Sequence, residues 1–181
     1  MNKKYENAGN KKTVKLKEPL ISIDNLEVKF INQDATIHAV NGVDIKLDKG
    51  KVLTILGESG SGKSVTMRSI LRLLPPKASL SGSIIVDGKN IIDMSQDQLS
   101  NMRGREVSMI FQEPMVAFDP VYKVGAQIAE TVVRHLGTSF NEGLARAKEL
   151  FDLVQIPSAK SRLSAYPHEL SGGMRQRALI A

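Results

Sequence analysis

Apolar residues recur at two different periods along this chain, and the places where the period changes mark out its elements. From Leu20 to Ile31 (LISIDNLEVKFI), Ile21 and Ile23, then Leu26, Val28 and Phe30, alternate with polar neighbours around an Asp24-Asn25 interruption. That predicts a strand with a turn or bulge inside it. Gly42 to Leu47 alternates again, Asp48-Lys49-Gly50 turns the chain, and Val52 to Leu56 is a short apolar run between turn signals. Such a run predicts a buried parallel strand. From Gly62 the period lengthens: Met67, Ile70, Leu71 and Leu74 fall at i, i+3, i+4 and i+7. A helix of about three turns is expected there, stopped by Pro75-Pro76.

Ser83 to Ile92 carries Asp87-Gly88 between two apolar runs, a hairpin signal. Ser95 with Gln98 three residues on fits a capping box for a short helix, and Val107 to Phe111 reads as a second buried strand. Val124, Ile128, Val132 and Leu136 have helical spacing, as do Leu144, Phe151 and Val154 within Glu142 to Val154. The order is β-rich, then α/β, then α-rich, without an internal repeat.

Composition narrows the chemistry. The 181 residues are 41% apolar, enough for a sizeable core. The formal charge is +6, but residues 1–18 hold six Lys against two Glu, which leaves about +2 for the rest. Bulk charge therefore gives little support to a nucleic-acid partner, and the tail reads as a solvated polar extension. Absence of Cys removes disulfides, thiolate metal sites and Cys nucleophiles. No apolar run approaches the roughly 18 residues that a bilayer crossing needs, so any membrane link is expected through a partner.

The chemistry concentrates in two glycine-containing helix starts. GESGSGKS, Gly57 to Ser64, matches G-x-x-x-x-G-K-[ST] between an apolar run and a helix. Across Gly57, Glu58, Ser59, Gly60, Ser61 and Gly62 the glycines let successive amides turn inward, and the helix start adds positive potential. Lys63 can then reach the outer phosphates and Ser64 can ligate magnesium, so a triphosphate with its metal is the expected ligand. LSGGMRQR, Leu170 to Arg177, is the second device: Ser171 can cap a helix, and Gly172 and Gly173 leave its amides open to an oxyanion.

With both motifs in hand the chain resembles the ATP-binding subunits of ABC transporters, whose LSGGQ-like signature lies C-terminal to the phosphate loop. The resemblance implies an α/β P-loop NTPase (ABC ATPase) core with an N-terminal antiparallel β subdomain and a helical subdomain at about residues 113–170. It also implies a head-to-tail dimer, homo- or heterodimeric, in which each signature completes the partner's ATP site. On that basis Leu170, Ser171, Gly172, Gly173, Met174, Arg175 and Gln176 form the signature, with Ser171 and Gly173 touching the partner's γ-phosphate. Gln112, in MIFQEPM, matches the Q-loop and would reach the metal and the attacking water. Phe30 matches the aromatic of the family's A-loop, which stacks on adenine, although an alternating strand Phe is most often a core residue. GESGSGKS, FQEPMVAFDP and YPHELSGGMRQR together resemble the dipeptide/oligopeptide and nickel importer branch, from about Leu20 to Ala181; Asp119 stands where many relatives have Asn.

The resemblance implies ATP and Mg2+ as cofactors, and as partners a second ABC ATPase subunit, transmembrane permease subunits and an extracytoplasmic solute-binding protein. It places the chain peripherally on the cytoplasmic face of the membrane, with Glu113 to Pro120 in the region that docks there. The family follows its signature with an apolar strand ending Asp-Glu, a D-loop and a switch His, and residues 1–181 contain none of these. The 181 residues are accordingly read as the N-terminal portion of such a domain. The resemblance implies a transport ATPase subunit that couples ATP binding and hydrolysis to dipeptide/oligopeptide import, with Lys63 and Gln112 as catalytic residues. The 181 residues alone are expected to hold ATP without turning it over, and to be poorly soluble or partly folded because Val52 to Leu56 would face an unpaired edge.

Ile84-Ile85-Val86-Asp87 is no substitute for the missing strand, since Gly88 and the hairpin explain it; His168 precedes the signature, and His38 and His135 have no partner pattern. A non-catalytic ATP-binding product is the main alternative. A DNA-handling ATPase is disfavoured, because only 57 residues separate Gln112 from Leu170, too few for a long coiled-coil insertion, and zinc modules need Cys. A GTPase is disfavoured by the lack of an Asn-Lys-x-Asp element.

Overall fold

The computed structural model describes residues 18–112 and 117–181, so residues 1–17 of the basic tail and residues 113–116 of the FQEPM stretch lie outside it. Two compact units divide between Leu99 and Ser100.

The first unit is an antiparallel sheet with one helix against it. Strands β1 (Ile21–Ile31), β2 (Thr36–Leu47), β3 (Ala78–Val86) and β4 (Lys89–Asn90) are ordered β2-β1-β3-β4. Ile23, Leu26 and Val28 are buried as their alternation predicts, and Ile84 and Val86 from the hairpin and Val40 from β2 join them. The Asp24-Asn25 interruption is a β-bulge: the register shifts between Ile23 and Leu26, and Asn25 takes a left-handed conformation at φ 49°. Gly82 opposite it has φ 91°, and a Cβ there would lie 2.3 Å from the Asn25 carbonyl oxygen. The Asp87-Gly88 turn has positive φ at both residues, as a type I′ hairpin loop requires.

Helix α1 (Lys63–Ile70) is shorter than its apolar spacing predicts and buries Thr66, Ser69 and Ile70. It ends where Arg72 turns left-handed at φ 49° and its guanidinium donates to the carbonyl of Met94 at 2.6 Å. Helix α2 (Gln96–Met102) begins with the predicted box: Gln98 N donates to Ser95 Oγ at 3.3 Å and Ser95 N to Gln98 Oε1 at 2.8 Å.

Both predicted buried parallel strands are corrected. Residues 51–58 are irregular, with Val52 96% and Leu56 87% exposed. Val107 makes only a single bridge to Arg103, and Ile110 is 57% exposed. An apolar run becomes a strand only when neighbouring strands satisfy its amides and carbonyls, and no described strand pairs with either run.

The second unit is helical. Helices α3 (Val124–Leu136) and α4 (Phe140–Leu153) form a hairpin through Gly137, which closes α3 in a left-handed C-cap at φ 68°. They approach closely because α4 has Gly143 at the crossing, where a Cβ would lie 2.9 Å from the Ala129 carbonyl. A short α5 (Ala159–Arg162), a 3-10 turn at Pro167–Glu169 and α6 (Gly172–Ile180) follow. Phe118, Val124, Ile128, Ala147, Phe151 and Leu170 are among the residues of one shared core. His38 lies exposed on β2 opposite Lys29, and His135 packs on Gly104, where a Cβ would come within 2.6 Å of its Nε2.

Candidate phosphate-binding loop and signature helix

Residues 57–64 lead directly into α1. Gly60 and Gly62 both adopt left-handed backbone, at φ 82° and 87°, a conformation that costs glycine nothing and other L-residues about 1–2 kcal/mol. Gly62 is constrained a second time, because a Cβ there would lie 2.5 Å from the Ala39 carbonyl oxygen of β2. As the N-cap of α1 it offers no side-chain acceptor, and the first turn contains no acidic residue. The first-turn amides are therefore not occupied by a capping side chain, and the local potential is positive.

Lys63 folds back over this loop, its Nζ donating to the Gly57 carbonyl at 2.7 Å, the Glu58 carbonyl at 2.6 Å and Ser61 Oγ at 3.2 Å. Its charge is held by neutral oxygens, which a phosphate oxygen can replace with a stronger, charge-assisted bond. Ser64, Ser59 and Glu58 are exposed. Open amides, a glycine that cannot cap and a cation tethered by neutral groups fit a phosphate anion. Phe30, half-buried near the end of β1 between Ile37 and Ala78, keeps part of its ring accessible.

In the second unit Ser171 caps α6 as its sequence suggests, with Met174 N donating to Ser171 Oγ at 3.3 Å. Ser171, Gly172, Gly173 and Gln176 are exposed, Met174 and Arg175 are half-buried, and Leu170 is a core residue at 2% exposure. A Cβ added at Gly172 or Gly173 would meet nothing within 4 Å. The approach to the helix is fastened at three points: Glu169 Oε2 accepts the Tyr166 amide at 2.7 Å, Tyr166 and His168 stack with ring centroids 5.7 Å apart, and Arg177 donates to the Gln155 carbonyl at 2.9 Å. Gln112 is exposed at the edge of the undescribed residues 113–116.

Residues 40–181 match the family model described as ABC transporter. The chain belongs to the ABC transporter family. It is 43% identical over 164 residues to the oligopeptide transport ATP-binding protein OppD of Bacillus subtilis (strain 168), covering 90% of this chain and 46% of that protein. It is 45% identical over 164 residues to a probable peptide ABC transporter ATP-binding protein, y4tR, of Sinorhizobium fredii, covering 90% and 49%. The chain thus spans about half the length of the curated relatives it matches.

Among solved structures, the dimeric bacterial ABC transporter cassette MJ0796 superposes with a TM-score of 0.73 at 24% identity, over 88% of this chain and 67% of that one. CbiO1 of Clostridium perfringens, part of the transporter complex cbiONQ, gives 0.62 at 25% identity over 90% and 60%. The α/β P-loop NTPase fold of ABC ATPases is therefore shared. MJ0796, an ATP-binding cassette, was also captured as a dimer in a post-hydrolysis state bound to ADP and Pi.

Some structural determinants of the site have no local sequence signal. The pressure of Ala39 on Gly62 is a long-range contact of this kind. The capping box of α4 is different: Glu142 N donates to Ser139 Oγ at 3.3 Å and Ser139 N to Glu142 Oε2 at 2.8 Å, and its Ser-x-x-Glu pattern is a local signal of the same kind as the Ser-x-x-Gln at Ser95.

Proposed function

We propose that this chain supplies two ATP-handling surfaces to a peptide-importing ABC transporter. The loop Gly57–Ser64 binds the phosphates of MgATP, with Lys63 on the outer phosphates and the Ser64 hydroxyl and Gln112 amide oxygen as metal ligands. Phe30 stacks on adenine. The signature, Leu170 to Gln176, completes the ATP site of a second ATPase subunit through Ser171 and Gly173. Bound to permease subunits on the cytoplasmic face of the membrane, and served by an extracytoplasmic solute-binding protein, the dimer closes on ATP and reopens on hydrolysis. ATP's own triphosphate supplies the driving reaction, and this chain's part in it is to bind, orient and neutralise charge.

The observation that carries this reading is the start of α1: a glycine N-cap without a side-chain acceptor, followed by a lysine that donates to three neutral oxygens among the described residues. The peptide assignment draws support from the names of the relatives. Calorimetric titration of the 181-residue chain with MgATP tests the binding step. Saturable binding is expected, weakened about ten- to a hundredfold in Lys63→Ala, in line with one lost hydrogen bond between charged groups. Equal binding by wild type and variant would refute the assignment of the loop.

A further inference from the structure

Helix α3 begins without a capping side chain, since Lys123 at its N-cap makes no side-chain cap bond. Its first two amides are satisfied from elsewhere in the second unit: Val124 N donates to the Ala165 carbonyl at 2.9 Å and Gly125 N to the Leu163 carbonyl at 3.0 Å. The contact is close enough that a Cβ on Gly125 would stand 2.6 Å from the Leu163 oxygen. Further along the first turn, Gln127 grips the turn that follows the Gln112 segment. Its Oε1 accepts the Asp119 amide at 2.9 Å, while its Nε2 donates to the carbonyls of Asp119 at 2.9 Å and Tyr122 at 3.0 Å. Phe118, in the same turn, is buried in the shared core.

The turn 118–122 and the segment 163–165 are thus both fastened to the first turn of α3. The second of these leads straight into the signature: Ala165 precedes Tyr166, whose amide is held by Glu169, and two residues after Glu169 Ser171 caps α6. A side-chain amide that satisfies both the N–H and the C=O of one residue and a second carbonyl fixes the turn in position and angle, which a purely apolar contact does not.

We propose that Gln127 is a positioning residue that ties the turn after Gln112 to the signature helix, so that a displacement of that turn is delivered to Ser171 through the start of α3. The functional consequence rests on the signature role proposed above; the mechanical linkage does not. Coupling is demonstrated when a change at one end is read at the other.

The test is residue-resolved amide hydrogen exchange on the full 181-residue chain carrying Gln127→Leu or Gln127→Glu, without nucleotide. Gln127→Leu removes all three bonds and is expected to speed exchange about tenfold at Asp119 and severalfold at Val124, Gly125 and Met174, while amides in the middle of α4 keep their protection. Gln127→Glu retains an acceptor for the Asp119 amide but loses both donations, so it should fall between wild type and Gln127→Leu at every one of these positions. Faster exchange at Asp119 with Val124, Gly125 and Met174 unchanged would reduce Gln127 to a local brace and overturn the proposal. So would no change at Asp119, or a uniform rise that includes α4. Because no nucleotide is present, this outcome is independent of whether the phosphate loop binds MgATP.

Discussion

Helix α4 begins with a reciprocal capping box and an acidic residue in its first turn, whereas α1 begins with a left-handed glycine, no side-chain acceptor and a lysine. Both helices must do something with first-turn amides that no helical carbonyl reaches. In α4 two of these amides are satisfied within the chain by Ser139 and Glu142, whose carboxylate also places negative charge at the helix start. In α1 no capping side chain meets them, and the backbone is held in place from behind by β2. The other long helices lie between these extremes: α3 borrows two carbonyls from residues 163 and 165, and α6 uses a single serine ahead of two open glycines. The contrast separates a helix start capped by its own side chains from one without a side-chain cap, the arrangement on which the proposed phosphate site rests.

The largest test of that contrast is Gly62→Ala. It adds a Cβ to a left-handed residue and drives it against Ala39, so a loss on the order of 2–4 kcal/mol is expected in urea unfolding of the chain. It should also abolish MgATP binding. A well-folded Gly62→Ala chain that binds normally would show that the close approach does not shape the loop.

The two residues that open α6 offer a smaller, two-sided test. Ser171→Ala should cost about 1 kcal/mol by loss of its cap, whereas Gly173→Ala, with open space around its Cβ, should gain up to about 1 kcal/mol of helix stability. If Gly173 is kept for a ligand rather than for the fold, that stabilised variant should still fail in ATP-dependent dimer formation, read by light scattering.

Acid sharpens the comparison at the smallest scale. Hydrogen bonds from the Ser139 hydroxyl and amide hold the Glu142 carboxyl below its ordinary value of 4.5. A depressed folded value means that the box adds stability above about pH 4.5 and loses it as the pH falls through the folded value. Glu142→Gln should therefore flatten the acid limb of the melting curve. The box at Ser95, whose partner Gln98 carries no charge, should contribute nothing to that limb.

What can be read in the sequence follows from the range of the forces involved. The bulge at Asp24-Asn25, the Asp87-Gly88 turn, both helices of the hairpin and the Ser171 cap are decided within a few residues, and they are where the pattern places them. The end of α1 departs from its apolar spacing because Arg72 reaches to residues 91–94 instead of continuing the helix. Val52 to Leu56 and Val107 to Phe111 have strand-like composition, but a strand is a relation between segments, and composition does not supply the neighbour. The phosphate loop is legible as a motif, while the reason its last glycine must be glycine lies in a different strand. Gln127 is hidden for the same reason, since nothing in a helical repeat distinguishes a solvated amide from one that forks onto a turn.

The oxygen of Ala39 acts on the phosphate loop as a doorstop. Standing 2.5 Å from where a Cβ of Gly62 would be, it sets the depth to which the loop can recede, so the floor of the cradle is made by the sheet rather than by the loop. A change in β2 that shifts this one carbonyl, with no contact to any ligand, should retune the cradle as directly as an exchange within GESGSGKS.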